Sequence, residues 1–170
     1  GWKQISGKWY YFIPEYDNYM KIGFLQLGED WYHFDKNGVM DTNKWVNDDG
    51  DWYYYDAKGK EVHGWFQQNG KWYYLNEYMM TGFCIIDNTY YHFTEKGVMD
   101  ANKWVKDSGG NWYYHQANGK QVSGWYKVGT QWYYFNPKNY NIMASDCTIV
   151  IDGYTYIFAS NGTYKKTTAN

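Results

Sequence analysis

The sequence predicts an all-β protein, a solenoid of short antiparallel hairpins with almost no helix. Three observations predict it. A hairpin-length pattern, typified by GWFQQNGKWYYL at Gly64 to Leu75, recurs eight times along the chain. Aromatic residues make up 24% of it, with 22 Tyr and 11 Trp, and such residues favour strands. Nearly every copy carries at its centre a residue pair suited to a tight primed turn, and 18 glycines punctuate the whole.

Taken in order, the copies begin near residues 1, 23, 44, 64, 82, 103, 124 and 147. The first is GWKQISGKWYYF, turning at Ser6-Gly7, and the second GFLQLGEDWYHF, turning at Gly28-Glu29. KWVNDDGDWYYY turns at Asp49-Gly50 and GWFQQNGKWYYL at Asn69-Gly70. GFCIIDNTYYHF follows with Asp87-Asn88, then KWVKDSGGNWYYH, whose Gly109-Gly110 predicts a longer or bulged loop. GWYKVGTQWYYF turns at Gly129-Thr130, and the degenerate CTIVIDGYTYIF at Asp152-Gly153. A pair with Gly first suits a type II′ turn, and the others suit type I′. Connectors with glycine turns at Gly38, Gly59, Gly97 and Gly119 join several of the copies.

In the fourth copy the turn fixes the register, with Gln68 opposite Lys71 and Trp65 opposite Tyr74. Alternation then puts Trp65, Gln67, Trp72 and Tyr74 on one face and Phe66, Tyr73 and Leu75 on the other. A lone hairpin is marginal in water, so each must bury a face on its neighbours. The eighth copy keeps Ile149, Ile151, Tyr156 and Phe158 on the second face and has Thr148, Thr155 and Ile157 on the first. The second face is therefore the expected core: Tyr10, Phe12, Tyr32, Phe34, Tyr53, Tyr55, Tyr73, Leu75, Tyr91, Phe93, Tyr133, Phe135, Tyr156 and Phe158. The Trp face is the expected functional surface. A longer period overlies the short one, because GFLQLGEDWYHFDKNGVMDTNKW from Gly23 returns as GFCIIDNTYYHFTEKGVMDANKW from Gly82. Three hairpins per solenoid turn would produce that period.

Composition also narrows function. A net charge of −2 argues against nucleic acid, which needs a concentrated basic surface. No apolar run is long enough for a membrane span, and no signal peptide is present, so membrane insertion is not expected. The chain opens on Gly1-Trp2, inside the pattern, and so reads as a fragment of something longer. Cys84 and Cys147 fall at different places in their repeats, and free thiols are expected. Asp48, Asp49 and Asp51 lack the spacing and closing glutamate of a calcium loop. The four histidines form no metal site, and no cofactor is expected. No nucleophile, base and orienter come together, so any catalysis belongs outside these residues.

GWFQQNGKWYYL, together with the GVM…KW…DGDWYYYD…GW connectors, resembles the choline-binding, or cell-wall-binding, repeats of Gram-positive bacterial and phage surface proteins. The hairpin G-x-x-Y-Y-F is shared with the glucan-binding repeats of streptococcal glucosyltransferases and with clostridial toxin repeats, which leaves glucan binding, or a spacer rod with decayed sites, as alternatives. The paired Trp, as in Trp45/Trp52 and Trp65/Trp72, and the connector methionines favour choline. The resemblance implies a left-handed superhelix with sites between successive hairpins, each lined by two Trp of one copy and a Tyr of the next, often with a Met. It implies as partner choline or phosphocholine on teichoic or lipoteichoic acid, an extracellular place on the wall, and a catalytic or adhesin domain in the same polypeptide. The chemistry is coherent: a quaternary ammonium donates no hydrogen bond, and ring faces offer it negative quadrupole.

If the third ring is the second Tyr of the next copy, the best sites are Trp45, Trp52 and Tyr74, and Trp104, Trp112 and Tyr134. Lesser sites are Phe24, Trp31 and Tyr54, and Phe83, Tyr90 and Tyr114. Trp2/Trp9 and Trp65/Trp72 then meet His33 and His92, whose protonation below about pH 6.5 would repel a cation. Trp125 and Trp132 meet Ile157, leaving a wall missing. Met40 and Met99 hold equivalent connectors before the best pairs, where Val62 and Val122 fill the connectors within them.

Overall fold

The computed structural model describes residues 1–14 and 16–169, with side chains up to Lys166. Among these there is no helix; the regular structure is eight separate antiparallel sheets, one for each repeat. Strands β1 (Trp2–Ile5) and β2 (Lys8–Ile13) form the first hairpin, with β3 (Tyr19–Met20) added to its edge. Next come β4 (Gly23–Leu27) with β5 (Asp30–Phe34), β6 (Lys44–Asp48) with β7 (Asp51–Tyr55), and β8 (Gly64–Gln68) with β9 (Lys71–Leu75). They are followed by β10 (Gly82–Ile86) with β11 (Thr89–Phe93), and β12 (Lys103–Lys106) with β13 (Trp112–His115). Then β14 (Gly124–Val128), β15 (Gln131–Asn136) and β16 (Ile142–Met143) form one sheet, and β17 (Cys147–Ile151), β18 (Tyr154–Phe158) and β19 (Tyr164–Ala169) the last.

The turns carry the backbone chemistry the sequence demands. Asn69 and Gly70 both have positive φ, 51° and 74°, as a type I′ turn requires. At Gly28 only the first residue is positive, 65°, which fits a type II′ turn. Register follows: Gln68 opposite Lys71, Phe66 opposite Tyr73, Trp65 opposite Tyr74. The sixth hairpin does have the longer loop. Lys106 pairs with Trp112, and the Asp107 carboxylate accepts from the Asn111 backbone at 2.8 Å and the Tyr113 hydroxyl at 2.9 Å.

The chain divides into two compact units, Gly1–Met80 and Thr81–Asn170, of four hairpins each. In the first, the buried centre is the closing residue of the second strand, Phe34, Tyr55 and Leu75; in the second it is Phe93, His115, Phe135 and Phe158. The expected core is thus correct at this slot from the second hairpin on, Phe12 of the first being only half-buried. It differs one pair earlier, where Tyr32, Tyr53, Tyr73, Tyr133 and Tyr156 are only half-buried, as are Tyr10 and Phe12, while Tyr91 is buried. The reason is stacking. Within a unit the Trp face of one hairpin meets the opposite face of the next, so Tyr54 lies 4.3 Å from Phe66 and Trp45 5.1 Å from Tyr73. Neither face is simply core or surface.

The connectors fasten the stack. One connector residue pairs with each closing residue: Met20 with Phe12, Met40 with Phe34, Glu61 with Tyr55 and Met79 with Leu75. In the second unit these are Met99 with Phe93, Gln121 with His115, Met143 with Phe135 and Tyr164 with Phe158. From that slot a backbone N–H reaches back to the preceding hairpin: Met40 to the Trp9 carbonyl, Glu61 to Trp31 and Met79 to Trp52, each at 2.8 Å. Met40 in turn lies over the glycine of the next connector, where a Cβ on Gly59 would stand 2.5 Å from its sulfur.

Candidate functional site

Side chains that could hold a ligand collect where consecutive hairpins meet. At the first junction the indoles of Trp2 and Trp9 stand 6.3 Å apart and perpendicular, making a corner. Tyr32 of the next hairpin closes it, 5.0 Å from Trp2. Trp104 and Trp112 repeat the corner at 6.3 Å and 89°, with Tyr133 at 4.9 Å from Trp104. Here the space is a cavity of about 270 Å³ lined by Trp104, Trp112, Tyr133, Met143, Ser160 and Asn161. None of those side chains ionises near neutrality. In the third hairpin Trp45 lies 5.1 Å from Tyr73 of the next, Met79 in the connector slot donates its backbone N–H to the Trp52 carbonyl, and the Trp45 indole N–H is held by the Gln68 side-chain oxygen at 2.9 Å. Trp112 remains 38% exposed, so a ligand has a ring face to approach.

The expected third ring is therefore displaced by one residue. Tyr74 does not join Trp45 and Trp52; it pairs across its own hairpin with Trp65, at 5.1 Å. Tyr134 likewise lies on Trp125, at 5.1 Å, while Tyr54 and Tyr114 are buried beside Trp45 and Trp104. Tyr54, Tyr114 and Tyr134 pack on the next hairpin, against Phe66, Tyr126 and Phe158, and the first tyrosine of the next copy stands against the Trp instead. His33 is not a cage wall either. Its Nδ1 lies 2.6 Å from Asp41, which also pairs with Lys44 at 2.7 Å, and its ring packs on Phe24 of its own hairpin. His92, Asp100 and Lys103 repeat the set, with Phe83 beneath.

At the last junction, expected to lack a wall at Ile157, two other rings reach Trp125. Trp125 lies 5.0 Å from Tyr156 and 4.8 Å from Tyr164, and Tyr164 holds the slot that Met143 holds one hairpin earlier. The connector slot itself is read one residue off in the sequence, because the backbone sets Met40 against Glu61 and Gln121, not against Val62 and Val122. Met99 keeps its equivalence to Met40, and its sulfur lies over Gly119 as that of Met40 lies over Gly59. Trp65 and Trp72 form a corner at 6.3 Å on the last hairpin of the first unit.

Two junctions are of another kind. Phe24, Trp31 and Tyr53 meet with Glu61 in the connector slot, Phe24 lying 5.3 Å from Tyr53. Phe83, Tyr90 and Tyr113 meet with Gln121 there, Phe83 lying 5.0 Å from Tyr113. Among the described residues no group of His, Cys, Asp and Glu could hold a metal ion. Both cysteines are free, and burial pushes the Cys84 thiol up to about 11.

The family model for choline-binding repeats matches residues 22–61, 43–79 and 103–146, more than half of the chain, and a cell wall binding repeat model matches residues 1–12. Among solved structures, CbpJ from Streptococcus pneumoniae TIGR4 superposes with a TM-score of 0.81 at 29% identity. Choline binding protein F from Streptococcus pneumoniae does so at 0.79 and 32%. Each match covers 97% of this chain and 57% of the other, so the chain spans little more than half of either. The second protein has also been solved in the presence of a peptidoglycan analogue and in complex with ipratropium. Glucosyltransferase-S of Streptococcus mutans is 32% identical over 143 residues, 79% of this chain but 10% of that protein.

Proposed function

This chain belongs to the choline-binding repeat family, and from that premise we propose that it is a wall-binding module that holds its polypeptide on choline or phosphocholine carried by teichoic or lipoteichoic acid. The reading places it outside the cell, on the bacterial surface, with a catalytic or adhesin domain elsewhere in the same polypeptide. The observation that carries it is the Trp104, Trp112, Tyr133 and Met143 cavity, which offers ring faces, a polarisable sulfur and no charged side chain. A trimethylammonium group fits that chemistry, because it can be surrounded by π faces and makes no demand for a hydrogen-bond acceptor. The aromatic groups at Trp2/Trp9/Tyr32, Trp45/Tyr73 and Trp125/Tyr156/Tyr164 repeat the theme. Three rings at roughly 0.5–2 kcal/mol each give on the order of 4 kcal/mol, about millimolar, so one box is a weak grip.

Retention on an immobilised quaternary amine, with elution by free choline, tests the ligand, and retention by choline-bearing but not choline-free teichoic acid tests the partner. Trp112→Ala and Trp52→Ala are each expected to remove one choline equivalent in a calorimetric titration. If neither variant changes the stoichiometry, the box assignment fails. The likeness to Glucosyltransferase-S supports a second reading, glucan binding, and elution by dextran instead of choline would establish it.

A further inference from the structure

The junction of the second and third hairpins departs from the others in a way that changes its chemistry. Its opening, of about 540 Å³, is lined by Phe24, Trp31 and Tyr53 together with Asp48, Glu61, His63, Asn76 and Glu77. Glu61 stands in the slot that Met143 fills in the uncharged box. Its side chain is 8% exposed, and burial, set against the neighbouring His63, holds its carboxyl above the usual carboxylate range. Among the described residues its ion-pair neighbour is the His63 imidazole, with Nε2 3.8 Å away, and His63 is itself turned to the Asn76 carbonyl through Nδ1 at 2.9 Å. Partial burial penalises the bare carboxylate and raises its pKa, and a donor brought into the opening would offset that penalty.

We propose that this pocket takes a protonated amine that still carries an N–H, a primary, secondary or tertiary ammonium, in place of the quaternary group suited to the Met-lined boxes. The aromatic walls receive the alkyl part and the face of the cation, and the N–H points at the Glu61 carboxylate, a charge-assisted bond that a fully methylated nitrogen cannot make. Asp48 and Glu77 on the rim add to the negative field, and Tyr53, its phenol pushed up by burial and by these carboxylates, stays neutral. A divalent metal is a poor alternative, since the pocket's carboxylates make no ligand group. The second unit supplies an internal comparison. Gln121 holds the Glu61 slot beside Phe83, Tyr90 and Tyr113, and its amide donates to the Tyr140 carbonyl at 3.4 Å. An uncharged amide is thus tolerated in the same backbone, so Glu61→Gln should fold.

The test is a titration of the full chain followed by the indole ¹H–¹⁵N resonances. The probes are N,N-dimethylethanolamine, choline and isomaltotriose, in wild type and Glu61→Gln. Trp31 is expected to move with dimethylethanolamine at about one-tenth the concentration that choline requires. Glu61→Gln should abolish that preference and leave the choline response of Trp104 and Trp112 unchanged. If Trp31 moves equally with choline, or keeps its preference in Glu61→Gln, or moves only with isomaltotriose, the proposal is overturned. The wall-binding reading is judged separately in the same spectra, by whether Trp104 and Trp112 respond to choline at all.

Discussion

Tyr55 and His115 hold the same closing slot in the third and sixth hairpins, and each buries one polar atom without a partner. At Tyr55 it is the hydroxyl, and burial pushes the phenol far up. Phe34, Phe93, Phe135 and Phe158 fill this slot elsewhere. Tyr55→Phe is therefore expected to be stabilising by about 1 kcal/mol, because it removes an unmet hydroxyl while keeping the ring; a lower melting temperature would contradict this. At His115 the Nδ1–H donates to the Gly119 carbonyl at 2.9 Å, which leaves Nε2 as a lone pair with no donor. Burial holds that imidazole below its ordinary value of 6.5. The unfolded chain takes up a proton near pH 6.5 that the folded chain refuses, so stability is full above that pH and declines as pH falls toward 5. His115→Phe should flatten the decline, measured as melting temperature between pH 7.5 and 5. An unchanged slope would place the acid sensitivity elsewhere.

At the scale of the element, the connector glycines are the constrained positions. Gly59 has φ +78° and lies under Met40, whereas Gly70 has φ +74° and open space around its α-carbon. Alanine at either costs about 1 kcal/mol for the left-handed backbone. Gly59→Ala must in addition displace Met40, so it should be the more destabilising in denaturant melts, and equal losses would show that the sulfur yields freely. The hairpins themselves were legible in the sequence, because turn pairs and two-residue alternation are local and set register without help from the rest of the chain. Which tyrosine closes a box was not, since that depends on which face the next hairpin turns toward the Trp pair. The same-face guess pointed to Tyr74; face-to-face stacking delivers Tyr73. Connector lengths vary, so counting residues set Met40 against Val62, and only the backbone pairing sets it against Glu61. Tyr164 escaped notice for a related reason: it lies beyond the last recognisable repeat, and a tyrosine there carries no signal until its partner Phe158 is known.

For the whole molecule, strength of attachment is a property of number. Among the described residues a Trp ring packs directly on a Tyr of the next hairpin at Trp2 and Trp45 in the first unit and at Trp104 and Trp125 in the second. On the proposed reading, millimolar boxes on one scaffold would bind a polymer far better than they bind free choline, because the first contact raises the local concentration for the others. Removing one box, as in Trp112→Ala, should lower affinity for free choline by no more than its share of sites. The loss of retention on choline-bearing polymer should exceed that share severalfold, and proportionate losses in the two assays would argue that the boxes act singly. Because each box draws its walls from one copy and its successor, no copy encodes a site by itself. The heritable unit of binding is the seam. Duplicating a copy inside the array adds one seam, and excising one removes one, with the copies on either side still able to close on each other. On the proposed reading, gaining or losing a copy would therefore raise or lower the grip on the wall in single steps, without having to invent or repair a fold.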